Sequence, residues 1–393
     1  MNEKARVGHR ILIVQYAGDY AEARERLANG GSETYFAQRH SVDAIARLAA
    51  LGHEVSVVVA MTASAYERAL APGLVAVGLG FASHGEGMEE AVLQYAQRFQ
   101  PTHLLLRTPM TGVLRWAIGR RLDVLVTLAD SFGTGFRSWA KSRWLVWLLN
   151  RPQVTWVANH GVTSSRSLVR LGVAANKVIP WDWPHVQRPE QMAPKTLPAR
   201  PGAWRALFVG AVSEAKGVGD ALRAIALLKA QGVAVSLDVV GAGDDFAPLA
   251  SSLGIVDRVR FVGRLPNSAV IGAMRAADAV LVPSRKEYPE GFPLTIYEAL
   301  CSRTPLVVSD HPMFVEKLRA DTSAIIFRAG DASGLAAAVR RLFETPALYA
   351  ALSSNAAAAW DDLQVPAEWS SLVEAWLRAD PAIRNNAWSH RTY

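Results

Sequence analysis

Short apolar runs recur along this chain, and stretches with helical periodicity separate them. Apolar runs of this length, bounded by polar, Gly or Pro positions, are typical of buried strands in parallel sheets. Between the first two runs, one helical face is predicted to carry Val42, Ile45, Ala46 and Ala49. In the first half the pattern predicts strands at Ile11–Val14, Val55–Val59, Leu104–Leu106, Val124–Thr127, Val154–Val157 and Val178–Ile179.

The second half of the chain repeats this alternation. Its apolar runs predict strands at Leu207–Val209, Leu237–Val240, Arg260–Val262, Ala279–Val282, Leu306–Val308 and Ala324–Phe327. Helices are expected between them, near 219–230, 246–253, 268–277, 294–301 and 333–344. Strands that alternate with helices form parallel sheets with crossover connections, so the sequence predicts two α/β halves.

A proline-rich stretch is the expected boundary between the halves. Residues 188–204 contain Pro189, Pro194, Pro198 and Pro201, a composition typical of a linker. A chain of 393 residues is also too long for one ordinary hydrophobic core. We therefore predict an N-terminal domain at 1–187, a linker at 188–204, a C-terminal domain at 205–355, and a helical segment at 356–393 that packs back on the N-terminal domain.

Composition narrows the class of protein. Cys301 is the only cysteine, so no intrachain disulfide can form, and the N-terminus lacks the apolar core of a signal peptide. We expect a soluble cytoplasmic protein on these grounds, since the sequence contains no spanning apolar run. A net charge of +7 favours anionic partners, and it does not by itself distinguish nucleotides, acidic lipid surfaces and nucleic acid.

The segment from Glu290 to Glu298 carries the most specific chemistry. It follows the apolar run Ala279–Val282, and Gly291 allows a tight turn before a helix that Pro293 is suited to begin. One carboxylate then lies in a strand-to-helix loop and a second projects from the helix. The free amides of such a loop and of the helix N-terminus favour an anion, so a diphosphate could bind between the two glutamates. Two unrelated, solvated glutamates are the alternative.

This segment and its continuation, Ala299 to Asp310 with Thr304-Pro305 and a Val-rich strand, resemble the nucleotide-binding signature of family-four retaining glycosyltransferases, the glycosyl transferases group 1. The resemblance implies the GT-B fold: two facing Rossmann-like domains with parallel sheets and an interdomain cleft. It implies an acceptor-binding N-terminal domain and a nucleotide-sugar-binding C-terminal domain. It also implies that Glu290 holds hydroxyls of the transferred sugar and that Glu298 holds the ribose hydroxyls. The implied donor-binding neighbours are Gly291, Phe292, Leu294 and Thr295.

Two positions in this segment depart from the family pattern. Pro293 replaces the usual second Gly, so its backbone nitrogen cannot donate to phosphate. Arg303 stands where the family usually has Gly.

A second anion-binding loop is predicted after the strand Leu207–Val209. Gly210 ends the strand, and Lys216-Gly217 follows at a helix entrance, which places an ammonium group over an anion site. The family usually has Gly-Arg and then Lys-Gly. Lys216 matches the Lys, whereas Ala211 occupies the place of the Arg. We expect Lys216 to bind the diphosphate and Arg285 to supply the missing cation.

Paired glycines occur near the start of the chain as well. Gly30 and Gly31, within Asn29-Gly30-Gly31-Ser32-Glu33, are expected to open the first helix and to meet a phosphate or sugar of the donor through backbone amides. An ordinary helix entry capped by Ser32 is the alternative. The polar stretch Gly18 to Ala28 is expected to be a mobile acceptor loop.

Two loops of the second half are expected to border the donor. The turn Gly241-Ala242-Gly243 lacks the third glycine of a dinucleotide fingerprint, which disfavours a dinucleotide-dependent oxidoreductase. Gly263-Arg264 matches the family loop that borders the base, and we expect contact through the backbone there rather than through the charge of Arg264.

The family often has a His beside an Asp at the end of the strand Val124–Thr127, and here Ala129 occupies the place of that His. Asp130 is still expected to be a catalytic polar contact, and simple capping of the strand end is the alternative. The segment 139–147 combines Lys141 and Arg143 with three tryptophans. It predicts peripheral contact with an anionic membrane, and a core helix with basic rims is the equal alternative.

The resemblance implies a retaining glycosyltransferase, and we expect Glu290, Lys216 and Asp130 to be its catalytic residues. The donor is expected to be a nucleotide-diphospho-sugar, with no other cofactor, and the acceptor a hydroxyl of a glycan, a lipid-linked sugar or a small molecule. No metal is expected, since the chain lacks the Asp-x-Asp signature of metal-dependent glycosyltransferases. No nucleic-acid partner is expected. A nucleotide-sugar epimerase and a non-catalytic sugar- or nucleotide-binding protein are the alternatives.

Overall fold

A computed structural model describes residues 8–35, 37–129, 136–197, 204–290 and 294–383, with the side chains of 136–142 left undescribed. Two compact units are present. Unit 1 comprises Met1–Pro184 and Val365–Tyr393, and unit 2 comprises His185–Gln364. Each is an α/β domain with one central sheet, as the alternation of apolar runs predicts.

Unit 1 is built on an eight-stranded sheet in the order β3-β4-β2-β1-β5-β6-β7-β8. All neighbouring strands are parallel except β3 and β4, which form an antiparallel pair at the edge. The strands are β1 (Arg10–Gln15), β2 (Glu54–Val59), β3 (Ala65–Ala71), β4 (Leu74–Leu79), β5 (His103–Leu106), β6 (Asp123–Leu128), β7 (Val154–His160) and β8 (Val178–Trp181).

Helices cover both faces of this sheet. Alternate residues of β1 point into separate cores, Ile11 and Ile13 into one and Leu12 and Val14 into the other, because successive side chains of a strand face opposite sides. Burial on both faces explains why the strand is apolar throughout. The helices are α1 (Tyr20–Ala28), α2 (Gln38–Ala50), α3 (Met88–Phe99), α4 (Thr111–Gly119), α5 (Phe136–Leu149), α6 (Val162–Arg170) and the C-terminal α14 (Trp369–Leu377).

Unit 2 has a six-stranded, wholly parallel sheet in the order β11-β10-β9-β12-β13-β14. Its strands are β9 (Trp204–Val209), β10 (Val235–Val240), β11 (Val259–Gly263), β12 (Ala279–Val282), β13 (Leu306–Ser309) and β14 (Ile325–Phe327). Its helices are α7 (Val218–Ala230), α8 (Ala247–Ser252), α9 (Asn267–Ala276), α10 (Leu294–Cys301), α11 (Pro312–Val315), α12 (Ala332–Glu344) and α13 (Pro346–Leu363). This strand order is that of a Rossmann fold.

Every strand predicted from an apolar run is present, and the β3–β4 hairpin is additional. Its edge strand β3 escaped prediction because Glu67, Arg68 and Ala69 are exposed, so it has no apolar run. Among the described residues, no helix is both long enough and apolar enough to cross a membrane.

The stretch 188–204 is only partly described, and its described part is anchored to unit 2. Pro189 is buried at the start of a short 3-10 turn. Farther on, the Lys195 ammonium donates to the carbonyls of Arg275 and Ala277. Burial lowers the pKa of Lys195 to about 8. The first chain crossing between the units therefore lies at residues 184–185, ahead of the prolines.

The predicted C-terminal segment 356–393 divides between the two units. Helix α13 continues to Leu363 within unit 2, and the chain from Val365 onward belongs to unit 1. There Trp369 and Trp376 are buried, and the Trp376 Nε1 donates to Asp123 at 2.7 Å.

The expectation of a mobile loop from Gly18 to Ala28 is wrong, because Tyr20–Ala28 is helix α1. Asp19 caps it by accepting from the amides of Ala21 and Glu22. Tyr20, Ala21, Ala23 and Leu27 are buried. The charged residues that suggested a loop occupy the helix's outer face.

Candidate functional site

The switch point of the unit 2 sheet lies between β9 and β12, where the strand order reverses. Open parallel sheets bind ligands at the carboxyl ends of their strands at such a point. The loop after β9 carries Lys216, and the loop after β12 carries Glu290. The fold therefore places these two predicted site residues at one crevice.

Gly217 lets the two loops approach each other. Its φ is +78°, and a Cβ at this position would lie 2.1 Å from the Pro283 carbonyl oxygen. Any other residue would push the β9 loop away from the β12 loop. The close packing of the two loops therefore requires a glycine at position 217.

Lys216 and Glu290 form a buried ion pair. The Lys216 Nζ lies 2.6 Å from the Glu290 Oε1, and the Ser284 hydroxyl donates to the same oxygen at 2.6 Å. Glu290 is only 4% exposed. No described residue donates to its Oε2, so one carboxylate oxygen holds the protein contacts while the other can accept from a ligand.

Ser284, Tyr288 and His311, which the sequence reasoning missed, hold this pair in place. The Tyr288 ring lies 4.3 Å from the Lys216 Nζ, in a cation–π contact. His311 accepts from the Met313 amide through Nδ1, so its Nε2 carries the proton and donates to the Tyr288 carbonyl at 3.1 Å. Burial lowers the pKa of His311, which keeps the ring neutral.

The backbone of Ser284 is fixed as well. Its carbonyl accepts from the Ser309 hydroxyl at 2.6 Å, so the ends of β12 and β13 are joined directly behind Glu290. Ser284 and His311 each closely follow a predicted strand. That position, a polar residue just past a buried strand, is the sequence signal that could have identified them.

Glu298 is the second carboxylate of the motif and lies on α10. It is buried, 8% exposed, and no described side chain or backbone amide donates to its carboxylate. Burial raises the pKa of Glu298 to about 7. The helix thus holds a desolvated carboxylate that has hydrogen-bonding capacity for a ligand.

The first turn of α10 is tied to the strand beside it. The Thr295 hydroxyl donates to the Val209 carbonyl at 3.3 Å, at the end of β9. Leu294 packs on the core of unit 2 and is partly buried. The predicted donor residues Leu294 and Thr295 therefore position the helix that carries Glu298.

The backbone conformation of Arg303 explains why the family usually has glycine at this position. Arg303 has φ +54°, its amide donates to the Leu300 carbonyl, and the Thr304 amide donates to the Ala299 carbonyl. This is the Schellman ending of a helix, in which the left-handed position favours glycine. The Arg303 side chain offsets the strain by donating from Nε to the Pro189 carbonyl at 2.7 Å.

Arg285 is bound by carboxylates instead of being available as a second free cation. Its guanidinium donates to Asp220 at 2.8 Å and to Glu214 at 2.6 Å. These contacts raise the pKa of Arg285, and the Asp220 side chain is only 3% exposed. Arg285 therefore joins the β12 loop to the start of α7.

The other predicted residues of unit 2 lie at the same edge of the sheet. The Gly210 amide donates to the Val240 carbonyl, and the Gly241 amide donates to the Gly263 carbonyl. Arg264 is exposed. Gly291, Phe292 and Pro293 lie outside the described residues, as does Asp130 of unit 1. In the described ranges, no group of three or more His, Cys, Asp or Glu side chains could hold a metal ion.

Gly30 and Gly31 do not open a helix, and the prediction that they do is wrong. They follow the end of α1, and α2 begins only at Gln38. The first amides of α2 are already occupied: Gln38 donates to the Tyr35 carbonyl, and Arg39 donates to the Glu33 carboxylate at 2.6 Å. The backbone amides of Gln38 and Arg39 are therefore not open to an anion.

Solved structures share this architecture. Sucrose-phosphate synthase from Thermosynechococcus elongatus matches with a TM-score of 0.67 at 18% identity, over 94% of this chain and 98% of that one. The Anabaena protein HepE, solved in complex with UDP-glucose, matches with a TM-score of 0.62 at 16% identity, over 97% of this chain and 100% of that one. Identities this low establish the fold alone, and that fold is GT-B, as predicted.

Sequence comparison gives matches to part of the chain. Residues 190–359 match the family model described as glycosyl transferases group 1. Glycogen synthase from Mycobacterium tuberculosis is 30% identical over 211 residues, which cover 53% of this chain and 47% of that protein. The chain spans about half the length of the curated relatives that it matches. Over residues 190–359 the chain is therefore similar to the glycosyl transferases group 1 family, which confirms the resemblance.

Proposed function

We propose that this protein is a glycosyltransferase that moves a sugar from a nucleotide-diphospho-sugar to an acceptor hydroxyl, with retention of anomeric configuration and without a metal ion. The observation that carries the proposal is the grouping of Lys216, Glu290 and Glu298 around the switch point of unit 2. Together they offer one cation and two carboxylates with open hydrogen-bonding capacity.

Lys216 has the chemistry to stabilise the leaving group. Negative charge grows on the diphosphate as the glycosidic bond breaks, and a fixed ammonium group favours that charge. Because Glu290 and Tyr288 both contact Lys216, the ammonium is already oriented before a donor arrives. Pre-orientation spares the reaction the cost of ordering the side chain.

Glu290 has the chemistry to hold the transferred sugar. Lys216 and Ser284 both donate to its Oε1, which leaves Oε2 to accept from sugar hydroxyls. Hydrogen bonds to an ionised carboxylate are stronger than those between neutral groups. Glu298 suits the ribose for a related reason, because its carboxylate lacks a described donor and the two vicinal hydroxyls of a ribose can supply two.

The relatives guide the choice of substrates to test. HepE was solved with UDP-glucose, which makes uridine diphosphate sugars the first donors to examine. A relative named glycogen synthase and another named amylovoran biosynthesis glycosyltransferase favour a carbohydrate acceptor.

The test is a binding and transfer experiment on the full chain. A panel of UDP-, GDP- and ADP-sugars is screened by thermal shift, and one of them should raise the melting temperature, since a ligand that binds only the folded state stabilises it. NMR of the product formed with carbohydrate acceptors should then show the anomeric configuration of the donor retained. Epimerised sugar formed without an acceptor, or no binding by any nucleotide sugar, would contradict the proposal.

The proposal extends to peripheral contact with an anionic membrane through α5. Trp144 and Trp147 are 48% and 47% exposed and stack at 4.8 Å, and the Arg151 guanidinium lies 3.4 Å from the Trp147 ring centroid. Exposed tryptophans beside a cation suit the boundary between water and lipid. Trp144→Ser with Trp147→Ser should weaken binding to phosphatidylserine vesicles. Unchanged vesicle binding would show that these tryptophans do not contact lipid.

A further inference from the structure

Arg107 lies at the switch point of the unit 1 sheet. Strands β1 and β5 are parallel neighbours there, and the strand order reverses between them. Gln15 is the last residue of β1, and Arg107 directly follows β5. The carboxyl end of a parallel sheet at this point is the expected place for a ligand.

Neutral groups alone hold the Arg107 guanidinium among the described residues. Its Nη1 donates to the Gln15 Oε1 and to the Ser41 Oγ, both at 3.0 Å. The Trp369 ring lies 5.0 Å from its Cζ. No carboxylate in the described ranges is within ion-pair distance of Arg107.

The surrounding contacts fix the direction of this side chain. The Gln15 amide nitrogen donates to the carbonyls of Ala17 and Gly18, so its oxygen must face Arg107. Ser41 and Trp369 are both buried. A flexible surface arginine would not be clamped by three neighbours, so the guanidinium is pre-organised.

Two nitrogens of the guanidinium keep N–H groups that no described residue uses. Neither Nε nor Nη2 donates to a described residue, and neither is among the fully enclosed polar atoms without a partner. Burial leaves the Arg107 charge poorly solvated and so lowers its pKa. An uncompensated, poorly solvated cation costs free energy, and an anion that binds it would offset that cost.

We propose that Arg107 is the centre of an anion subsite in unit 1 that recognises a phosphate or carboxylate group on the acceptor. The assignment of this anion to the acceptor rests on the proposed function, since the donor is assigned to unit 2. The remaining N–H groups form the planar fork that pairs with two oxygens of either anion. The acceptor class is therefore an anionic carbohydrate or a small anionic molecule with a hydroxyl.

The experiment measures binding of methyl phosphate and of acetate to the full chain by calorimetry. Four variants are compared with the wild type: Arg107→Gln, Arg107→Lys, Lys216→Ala, and Arg68→Gln as a control. Arg68 is an exposed arginine of unit 1 that already pairs with Glu25, so its removal changes the net charge by the same amount. Circular dichroism establishes that each variant is folded.

We expect Arg107→Gln to weaken binding of one of the two anions about tenfold or more, because a charge-assisted bidentate contact is lost. Arg107→Lys, which keeps the charge and loses the fork, should fall between the wild type and Arg107→Gln. It also serves as the decisive variant if Arg107→Gln does not fold. Arg68→Gln should bind as the wild type does, and Lys216→Ala separates any binding at the proposed donor site of unit 2 from binding at Arg107. Preference for methyl phosphate or for acetate identifies the anion.

Two outcomes would overturn the proposal. One is that neither anion binds the wild type. The other is that every folded Arg107 variant binds the anion as the wild type does. If Lys216→Ala alone then abolishes binding, the anion lies in unit 2 and not at Arg107. The measurement needs no nucleotide, so it can be interpreted even if the donor site is not in unit 2. If the anion subsite is absent, the assignment of the donor site is unaffected.

Discussion

The cations at the switch points of the two sheets have opposite kinds of partners. In unit 2, Lys216 is paired with Glu290, and Arg285 is paired with Asp220 and Glu214. In unit 1, Arg107 is held by Gln15 and Ser41, which are neutral. One crevice balances its charge internally, whereas the other leaves a positive charge uncompensated among the described residues.

The comparison shows how a carboxylate can orient a cation and still leave it able to contact a ligand. Glu290 and Lys216 orient each other, and each keeps atoms that a ligand can contact. Where the carboxylates surround the cation, as at Arg285, the residue joins loops instead. Where none of the described carboxylates pairs with the cation, as at Arg107, the site favours a ligand that brings negative charge of its own.

The largest expected effect comes from Lys216→Ala. Turnover should fall roughly 100- to 1,000-fold, as for loss of one group that stabilises developing charge, and the affinity for the donor should fall less. Steady-state kinetics with the donor found by screening measures both. Lys229→Ala, which removes an exposed lysine paired with Asp257, is the control. Equal losses of turnover and affinity would mean that Lys216 only binds the ground state.

The next effect concerns Glu298 and stability. Its pKa is about 7 in the folded protein against an ordinary 4.5, so between these pH values the folded state holds a proton that the unfolded state lacks. The free energy of unfolding therefore decreases as pH rises from about 4.5 to about 7. Glu298→Gln cannot ionise and should be more stable than the wild type at pH 8, by on the order of 3 kcal/mol.

Urea denaturation at pH 5 and pH 8 measures this difference. The gain of Glu298→Gln over the wild type should be small at pH 5 and present in full at pH 8. A gain that is the same at both pH values would show that the ionisation of Glu298 is not its cause.

Arg285→Met tests whether that arginine joins loops or binds phosphate. The variant should lose roughly 2 kcal/mol of stability, less than the full cost of an orphaned buried carboxylate, because Arg223 still contacts Asp220. Denaturant titration gives this value. If stability is unchanged, turnover falls, and Ala211→Arg restores it, Arg285 supplies the phosphate cation as the sequence analysis predicts.

The smallest expected effect concerns Arg303. Arg303→Gly and Arg303→Ala lose the same hydrogen bonds, but only glycine relieves the left-handed φ of +54°. The Gly variant should be more stable than the Ala variant by about 1 kcal/mol, the reverse of their order within a helix. Equal stability in denaturant titrations would mean that the helix end rearranges.

The sequence predicts the sheets well because a strand buried on both faces is an uninterrupted apolar run. Helix α1 and strand β3 are missed for the opposite reason, since Glu22, Glu25 and Glu67 are polar residues on exposed faces. Local sequence cannot separate a charged helix from a charged loop when the apolar face is as narrow as that of α1.

The candidate site is predicted in part. Lys216, Glu290 and Glu298 are found because their spacing matches a motif. Ser284 and His311 are not, because they reach Glu290 and Tyr288 only through the order of strands in the sheet. The distance of Arg107 from every carboxylate in the described ranges is likewise a property of the folded chain, which no local pattern encodes.

The most direct test of the donor site is the affinity for a nucleotide sugar at two pH values. Calorimetry compares the wild type, Glu298→Gln and the exposed control Glu344→Gln, with UDP-glucose or the nucleotide sugar that the screen selects. Because the pKa of Glu298 is about 7, the wild type should bind about tenfold more tightly at pH 8 than at pH 6. Glu298→Gln should lose roughly 1.5–3 kcal/mol of binding at pH 8 together with this pH dependence, and Glu344→Gln should lose neither. Wild-type affinity in Glu298→Gln would contradict the assignment of the donor site.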